Sequence, residues 1–423
     1  MSASTQAQQL LREGRIAESE QIYEQILENS PDDAEALNVI ALAALRRRDF
    51  ARAGALLARA VGAHPEDFHS HYHLGRVNDE SGDLAAAIAE YERALGIQPE
   101  AYTARLHLGS ALDRSGEPGR SLAHYVQALG QAQRAGRWLD AATTAPAVKP
   151  LVERAVRLVR ETKRRIADDA FAHLRGQYGA SELARVARAL RIYLRDEPPD
   201  YPDPRQQPSY FYFPGLPPSP YLDRKLFSWL ETLEESAQRI REELERLLPS
   251  AAGRERVFLS EAIERVNLRG ADDAKPSWNG YYFYRHGMRR EENCSACPAT
   301  AAAIDRLPLC RVPNHGPEVL YSVFTPGTHL LPHRGVTNTR LVGHLPLLVP
   351  ENCALKVGGE PHVWQEGRVV VFDDTYEHEA WNRSGEIRVV MIFDVWNPFL
   401  TEVERHAVTE LISRMSALQP VDS

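Results

Sequence analysis

Several columns of residues recur along the first third of the chain at a fixed step of 34. Pro31, Pro65 and Pro99 form one. Gly14, Arg48, Gly82 and Gly116 form another, and Ala17, Ala51, Ala85 and Gly119 a third. Tyr23, Leu57, Tyr91 and Tyr125 keep the same step, as do Ala41, Gly75 and Gly109. Small residues where helices cross and a proline at the unit end fit a repeated pair of antiparallel helices. Such a pair cannot bury its apolar face alone, so neighbours must stack. The expectation for residues 1–130 is therefore a curved α-solenoid of three to four units. Its concave groove would take a peptide or protein segment.

A period of this length with these small residues and prolines is the tetratricopeptide signature. His69, His71 and His73 lie in the third repeated block. Residues two apart on a helix point to different sides, so the three cannot converge on a metal. They are expected to be partly exposed histidines of the repeat surface. Residues 131–197 leave the register but stay helical. Pro150 to Arg175 and Ser181 to Arg195 are amphipathic runs, read as two or three helices that close the solenoid. Arg154, Arg157, Arg160, Lys163, Arg164 and Arg165 cluster here. Interleaved acids and the lack of aromatic platforms make this a solvated helix face rather than an RNA-binding one.

Glu197 to Pro220 carries nine prolines, including Pro198, Pro199, Pro202 and Pro204. Helix cannot persist through it, and it marks a boundary before the last domain, residues 198–423. Its aromatics, Tyr201, Tyr210, Phe211, Tyr212 and Phe213, are expected to pack onto something. Asp223 to Leu248 reads as one long helix laid against a sheet. Ser277 to Arg290 holds Trp278, Tyr281, Tyr282, Phe283 and Tyr284, either one wall of a pocket or a half-buried strand. Thr401 to Leu418 reads as a final amphipathic helix covering a sheet edge.

Between Ser322 and Trp396 the pattern changes to short strands broken by Pro326-Gly327 and Gly358-Gly359, which indicates a sandwich or barrel. Arg340, Val342 and His344 alternate with Leu341, Leu345 and Leu347. Ile387, Val389, Met391, Phe393 and Val395 share one face, with Arg388 and Asp394 opposite. Arg368 to Phe372 reads as a buried strand. Polar anchors on an inner face mean a lined pocket. Two histidines on separate strands, His333 and His378, can bind a divalent transition metal through neutral imidazole. Arg388 beyond them is a fork for a carboxylate. Non-haem Fe(II) oxygenases use two histidines and a carboxylate that commonly sits two residues after the first histidine. That position is Gly335 here. Asp373 and Asp374 are read as groups that orient His378 or cap the turn, with a substitute third ligand as the other reading.

The strings Tyr321-Ser322, Pro326-Gly327-Thr328-His329, Pro332-His333-Arg334-Gly335, Thr337-Asn338-Thr339-Arg340-Leu341, His344-Leu345, Phe372-Asp373-Asp374, Glu377-His378-Glu379 with Trp381, and Asp394-Val395-Trp396 with Pro398 resemble the catalytic core of the aspartyl/asparaginyl β-hydroxylase family. Phe213-Pro214-Gly215-Leu216-Pro217 with Phe227-Ser228-Trp229 resembles the family's entry to that domain. The likeness covers roughly the last half of the chain. It implies a double-stranded β-helix (jelly-roll, cupin-like) domain with flanking helices, hence a multidomain α + β protein. It also implies Fe(II), 2-oxoglutarate and O₂ as cofactor and cosubstrates. Carried over by position, His333 and His378 hold iron without a third protein ligand, which Gly335 fits. Arg388 and Ser322 hold the distal carboxylate of 2-oxoglutarate, His344 contacts the carboxylate nearer the metal, and Arg340 faces the substrate. Animal members carry a second arginine two residues after Arg340, where this chain has Val342. Animal members also pair cysteines in the loop that holds Cys294 and Cys297. The matching partner position here is Ala301, so those two are read as an incidental or weakly redox-sensitive pair.

The substrate class that the resemblance implies is the β-carbon of Asp or Asn in a protein or peptide, presented by the repeats. A small-molecule or lipid hydroxylase and a non-catalytic repeat scaffold are the alternatives. The net charge of −8 argues against general nucleic-acid binding. No run approaches the roughly 18 apolar residues of a membrane helix. Met1 to Gln6 lacks a secretory leader, and four cysteines make no disulfide scaffold. A cytoplasmic protein with reduced thiols is expected; the oligomeric state is not legible.

Overall fold

The computed structural model describes residues 2–251, 268–270 and 278–416. They form two compact units, one of residues 1–165 with 415–423 and one of residues 166–414. The first begins with eight helices: α1 (Ala3–Arg12), α2 (Ile16–Asn29), α3 (Ala34–Arg46), α4 (Phe50–Ala63), α5 (Phe68–Ser81), α6 (Leu84–Ile97), α7 (Tyr102–Arg114) and α8 (Pro118–Arg134). Asp33, Asp49, Asp67 and Asp83 each accept a hydrogen bond from the backbone N–H three residues on, capping α3 to α6. Left-handed Gly82 closes α5.

The column of small residues has a direct cause. A Cβ on Gly75 would lie 2.7 Å from the Tyr91 ring, and one on Gly109 would lie 2.8 Å from the Tyr125 ring. Ala41 sits in one buried cluster with Leu57, and Ala7 in another with Tyr23. The aromatic column thus rests on the small column, and the two repeat together. One histidine differs from expectation. His71 is buried, with its Nδ1 against Glu90 and its Nε2 against the Pro65 carbonyl, so it is a core group of the repeat. His69 and His73, one turn apart, stack with ring centroids 6.1 Å apart.

Helices α9 (Lys149–Tyr178) and α10 (Ala184–Tyr193) follow. The proline-rich segment, expected to mark the boundary before residue 198, lies instead inside the second unit, which begins at residue 166, and its aromatics pack there. Phe211 and Phe213 are buried, and the Asn338 side chain bonds both the N–H and the carbonyl of Phe213. The single long helix expected over Asp223 to Leu248 is instead a 3-10 turn at Arg224–Leu226, α11 (Leu230–Glu235) and α12 (Ala237–Ala251). Asp223 caps the 3-10 turn, and the Ser236 N–H turns back to the Leu233 carbonyl, so the chain steps between the pieces.

The remaining elements are β1 (Leu268–Gly270), β2 (Trp278–Arg285), β3 (Met288–Arg289), α13 (Glu291–Ala296), α14 (Pro298–Ile304), β4 (Val319–Phe324), β5 (Thr328–His333), β6 (Arg340–Leu348), β7 (Cys353–Val357), β8 (Glu360–His362), β9 (Val370–Phe372), β10 (His378–Asn382), β11 (Arg388–Trp396) and α15 (Glu402–Ser416). Ser277 and Leu418, at the ends of two expected elements, lie outside the described residues. One sheet has the order β1-β5-β10-β7-β8 and the other β3-β2-β4-β11-β6-β9. Every pairing in both is antiparallel. From β4 onward the chain alternates between sheets except at the β7–β8 hairpin, the winding of a double-stranded β-helix. Leu341, Leu345, Leu347, Val389, Met391, Phe393 and Val395 pack with α11, α12 and α14 on the outer face of the larger sheet. Phe324, Leu330, Val342, Leu355, Phe372 and Val390 fill part of the space between the sheets. Arg340, His344, Arg388 and Asp394 face a cavity there, so the alternation read from sequence has the correct phase.

Candidate active site

His333 ends β5 and His378 opens β10, and the two are direct cross-strand partners. Leu330 and Ala380 form the next inward pair, so β5 takes three steps where β10 takes two. The extra residue breaks the alternation and turns His333 to the cavity side. In an unbroken strand it would point the same way as His329, which instead pairs with Glu379. The imidazole centroids are 4.0 Å apart. His333 Nδ1 lies 2.8 Å from the Leu331 carbonyl, and His378 Nδ1 lies 3.0 Å from the Tyr376 carbonyl. Each carbonyl accepts from a protonated Nδ1, which leaves Nε2 as a lone pair for a ligand. Burial holds His333 below its ordinary range. Burial together with His333 pulls His378 down to about 3, so both rings are neutral near pH 7.

The aspartates do not orient His378; the backbone does. Asp373 caps its turn, accepting from the Thr375 N–H and hydroxyl and from the Gln206 amide. Asp374 reaches the space beside Gly335, where an added Cβ would overlap its carboxylate. Its Oδ2 pairs with Arg340 at 3.0 Å, while Oδ1 is buried without a partner. Burial pushes this carboxyl up to about 7, against the pull of Arg340. Arg340 also bonds Asp394 at 2.5 Å. Burial opposes its charge, but Asp394 and Asp374 outweigh it and hold it fully protonated. The residue expected to face a substrate carboxylate thus already serves two carboxylates, and only its Nε is buried without a partner. Asp394, on the same strand face as Arg388, takes Arg340 and the Glu318 N–H.

Arg388 is 1 % exposed. Its Nη1 donates to the Ser322 carbonyl at 3.1 Å and lies 3.3 Å from Ser322 Oγ. Trp278 Nε1 donates to the same Oγ at 2.9 Å. Among the described residues no carboxylate pairs with Arg388. Burial lowers it to about 9, still charged at neutral pH. Its guanidinium carbon lies 3.7 Å from the Phe324 ring centroid and 4.7 Å from that of Trp364. His344 stands beside it, pushed well below its ordinary range by burial and by Arg388, with Nδ1 buried and unpartnered.

All six residues picked from sequence (Ser322, His333, Arg340, His344, His378 and Arg388) line one cavity of about 500 Å³. Trp278 and Tyr282 line it too, while Phe283 and Tyr284 pack on the other face, so both readings of that strand hold. The rest of the wall is largely apolar, including Leu320, Phe324, Leu330, Val342 and Ile392. Sequence reasoning missed Trp364, Phe324 and the place of Asp374; nothing in the spacing singles them out. Cys294 and Cys297 are buried free thiols that burial pushes upward, Cys297 to about 12, so they are packing groups rather than reactive ones. Among the described residues no group of three His, Cys, Asp or Glu side chains could hold a metal. Two open imidazoles, a buried guanidinium with no carboxylate partner and a His344 Nδ1 with no partner among the described residues nevertheless fit a metal held by two histidines with a diacid beside it.

Helical repeats followed by a two-sheet antiparallel domain with a lined cavity define the class of architecture, and comparison with known proteins finds relatives of both parts. Residues 234–398 match the family model described as aspartyl/asparaginyl beta-hydroxylase, and residues 4–68, 40–102 and 72–137 match that of the tetratricopeptide repeat. The chain is 34% identical to human aspartyl/asparaginyl beta-hydroxylase over 206 residues, 48% of this chain and 26% of that protein. It is 31% identical to human aspartate beta-hydroxylase domain-containing protein 2 over 239 residues, 55% of this chain and 61% of that one. It is 35% identical to the ornithine lipid ester-linked acyl 2-hydroxylase of Rhizobium tropici over 182 residues, 42% of this chain and 61% of that one. The chain thus spans about a quarter of the first relative and under two thirds of the others. Its C-terminal part is thus similar to aspartyl/asparaginyl β-hydroxylases, and its N-terminal part to tetratricopeptide repeats.

Proposed function

We propose that this chain is an Fe(II)- and 2-oxoglutarate-dependent oxygenase that hydroxylates the β-carbon of an Asp or Asn residue in a protein or peptide recruited through the repeats. The observation that carries the cofactor reading is Arg388. A buried cation with no anionic partner costs several kcal/mol, roughly, unless an anion completes it, and it shares a cavity with two imidazoles whose Nε2 atoms are open.

His333 and His378 would hold the metal in their neutral forms. Arg388 and Ser322 would hold the distal carboxylate of 2-oxoglutarate, and His344 would meet the carboxylate nearer the metal. When bound, Fe(II) supplies the centre at which O₂ converts 2-oxoglutarate to succinate and CO₂, with the second oxygen atom ending as hydroxyl on the substrate carbon. The protein's part is to orient and to exclude water. The two Nδ1–H groups, fixed on backbone carbonyls, hold the ring planes. Arg340, locked between Asp374 and Asp394, presents a fixed charge to the cavity. The apolar wall keeps the rest of the cavity dry.

A second reading is a hydroxylase of an aliphatic chain on a small molecule or lipid. Three observations favour it: Val342 where animal members have arginine, Arg340 already shared by two carboxylates, and the apolar wall. The Rhizobium tropici relative carries an acyl hydroxylase name. The deciding experiment measures succinate formation from 2-oxoglutarate with Fe(II), alone and with an Asp- or Asn-containing peptide or an N-acyl amino acid. The wild type should turn over, and His333→Ala, His378→Ala and Arg388→Ala should not. Stimulation by the acyl compound alone would replace the peptide reading. No turnover in the wild type under any condition would leave a repeat scaffold.

A further inference from the structure

Trp364 is 4 % exposed and lies between β8 and β9, outside every string that marks the site. Its ring touches both groups assigned to the diacid: the guanidinium carbon of Arg388 is 4.7 Å from its centroid, and the His344 ring is 5.8 Å away at an interplanar angle of 36°. Phe324 holds the same guanidinium from 3.7 Å. The loop that carries Trp364 is pinned in turn. The Gly367 N–H bonds the Pro346 carbonyl, and the Glu366 carboxylate accepts from the Val349 N–H and pairs with Arg241.

The Trp364 Nε1–H is buried and has no partner among the described residues. An unmet buried donor costs about 1–3 kcal/mol. A phenylalanine would fill much of that space without the cost. What an indole adds is the strongest negative face available beneath a cation. The residue type is therefore explained by Arg388 and not by packing alone.

We infer that Trp364 is a positioning residue for the dicarboxylate cosubstrate: with Phe324 it forms an aromatic cradle that takes the place of a counterion and keeps the Arg388 fork aimed into the cavity before the anion arrives. This rests on the 2-oxoglutarate reading above. Without the cradle the guanidinium can leave its place, and the anion must then restore it on binding.

The test is calorimetric binding to the full chain under argon with Mn(II), using two probes. 2-Oxoglutarate needs Arg388 for its distal carboxylate; oxalate chelates the metal but has no distal carboxylate. Trp364→Leu should weaken 2-oxoglutarate by about tenfold and leave oxalate unchanged. Trp364→Phe, which keeps a ring face, should fall between. Equal weakening of both probes would mean a general structural role and overturn the inference, as would unchanged binding of both. Should Trp364→Leu unfold the domain, Phe324→Leu and Trp364→Phe carry the same comparison of probes. Wild-type protein that binds oxalate but not 2-oxoglutarate would sink the cosubstrate reading itself, a result distinct from failure of the cradle.

Discussion

The carboxylate of Asp374 fills the space that a side chain on Gly335 would occupy. Two positions 39 apart in sequence thus share one small volume. Gly335→Ala is expected to lower stability by about 1–3 kcal/mol, the usual cost of overpacking, and to weaken Mn(II) binding because His333 is only two residues away. Adding Asp374→Gly should recover part of the loss. Thermal unfolding and calorimetry on the three variants read both effects, and additive losses would show that the two positions do not compete.

Arg388→Met separates stability from function. The guanidinium is buried without a carboxylate partner, so replacing it with an apolar chain removes a desolvation cost. Metal-free stability should stay within about 1 kcal/mol of wild type or rise. The rise in Tm that 2-oxoglutarate gives with Mn(II) should vanish. A large loss of metal-free stability would mean that the guanidinium holds the sheets together instead of waiting for an anion.

Acidification should destabilise the metal-free protein. Burial pulls His73, His107 and His124 down to about 4 and also lowers His333, His344 and His378. Unfolded, these rings take up protons as pH falls through roughly 6.5; folded, they refuse them until lower pH. The unfolded chain therefore binds more protons below that value, and folding weakens as pH drops. Asp374, held up to about 7, acts in the opposite sense between about 7 and its ordinary range near 4, as do Asp79, Asp373 and His286, which are also raised, but the lowered histidines, His315 and His362 among them, outnumber these groups. The Tm at pH 5.5 should lie about 5 °C or more below that at 7.5. A flat profile would mean that these rings are open to water.

In the repeats, Gly75→Ala and Gly109→Ala should each cost about 1–3 kcal/mol, because the new methyl would meet the rings of Tyr91 and Tyr125. Gly54→Ala in α4 meets only Val77 at 3.8 Å. It should stabilise by about 0.5–1 kcal/mol through helix propensity. Thermal unfolding of the three side by side checks the sign of each change.

How far the sequence reached differs by element. The helical repeats were legible because their signal is local and recurs: Gly75 and Tyr91 repeat as Gly109 and Tyr125, and each block reports the same contact. The phase of β6 and β11 was legible because alternation sorts Leu341, Leu345 and Val389 from Arg340, His344 and Arg388. The break after Glu235 was not, since Leu and Ile continue at helical spacing through it. His71 was misplaced because spacing shows which side a residue takes, not whether Glu90 waits on that side.

The sequence by itself determined the repeated helix pairs, the antiparallel β unit, and the two histidines, serine and arginine that share its cavity. Only the tertiary structure decided that an extra residue in β5 turns His333 inward, that Asp374 enters the space left by Gly335, that Arg340 is shared by two carboxylates, and that Trp364 and Phe324 hold Arg388. Periodicity is written into neighbours along the chain. These four relationships join residues from different strands and loops, and they exist only once the sheets have closed and water has been removed from between them.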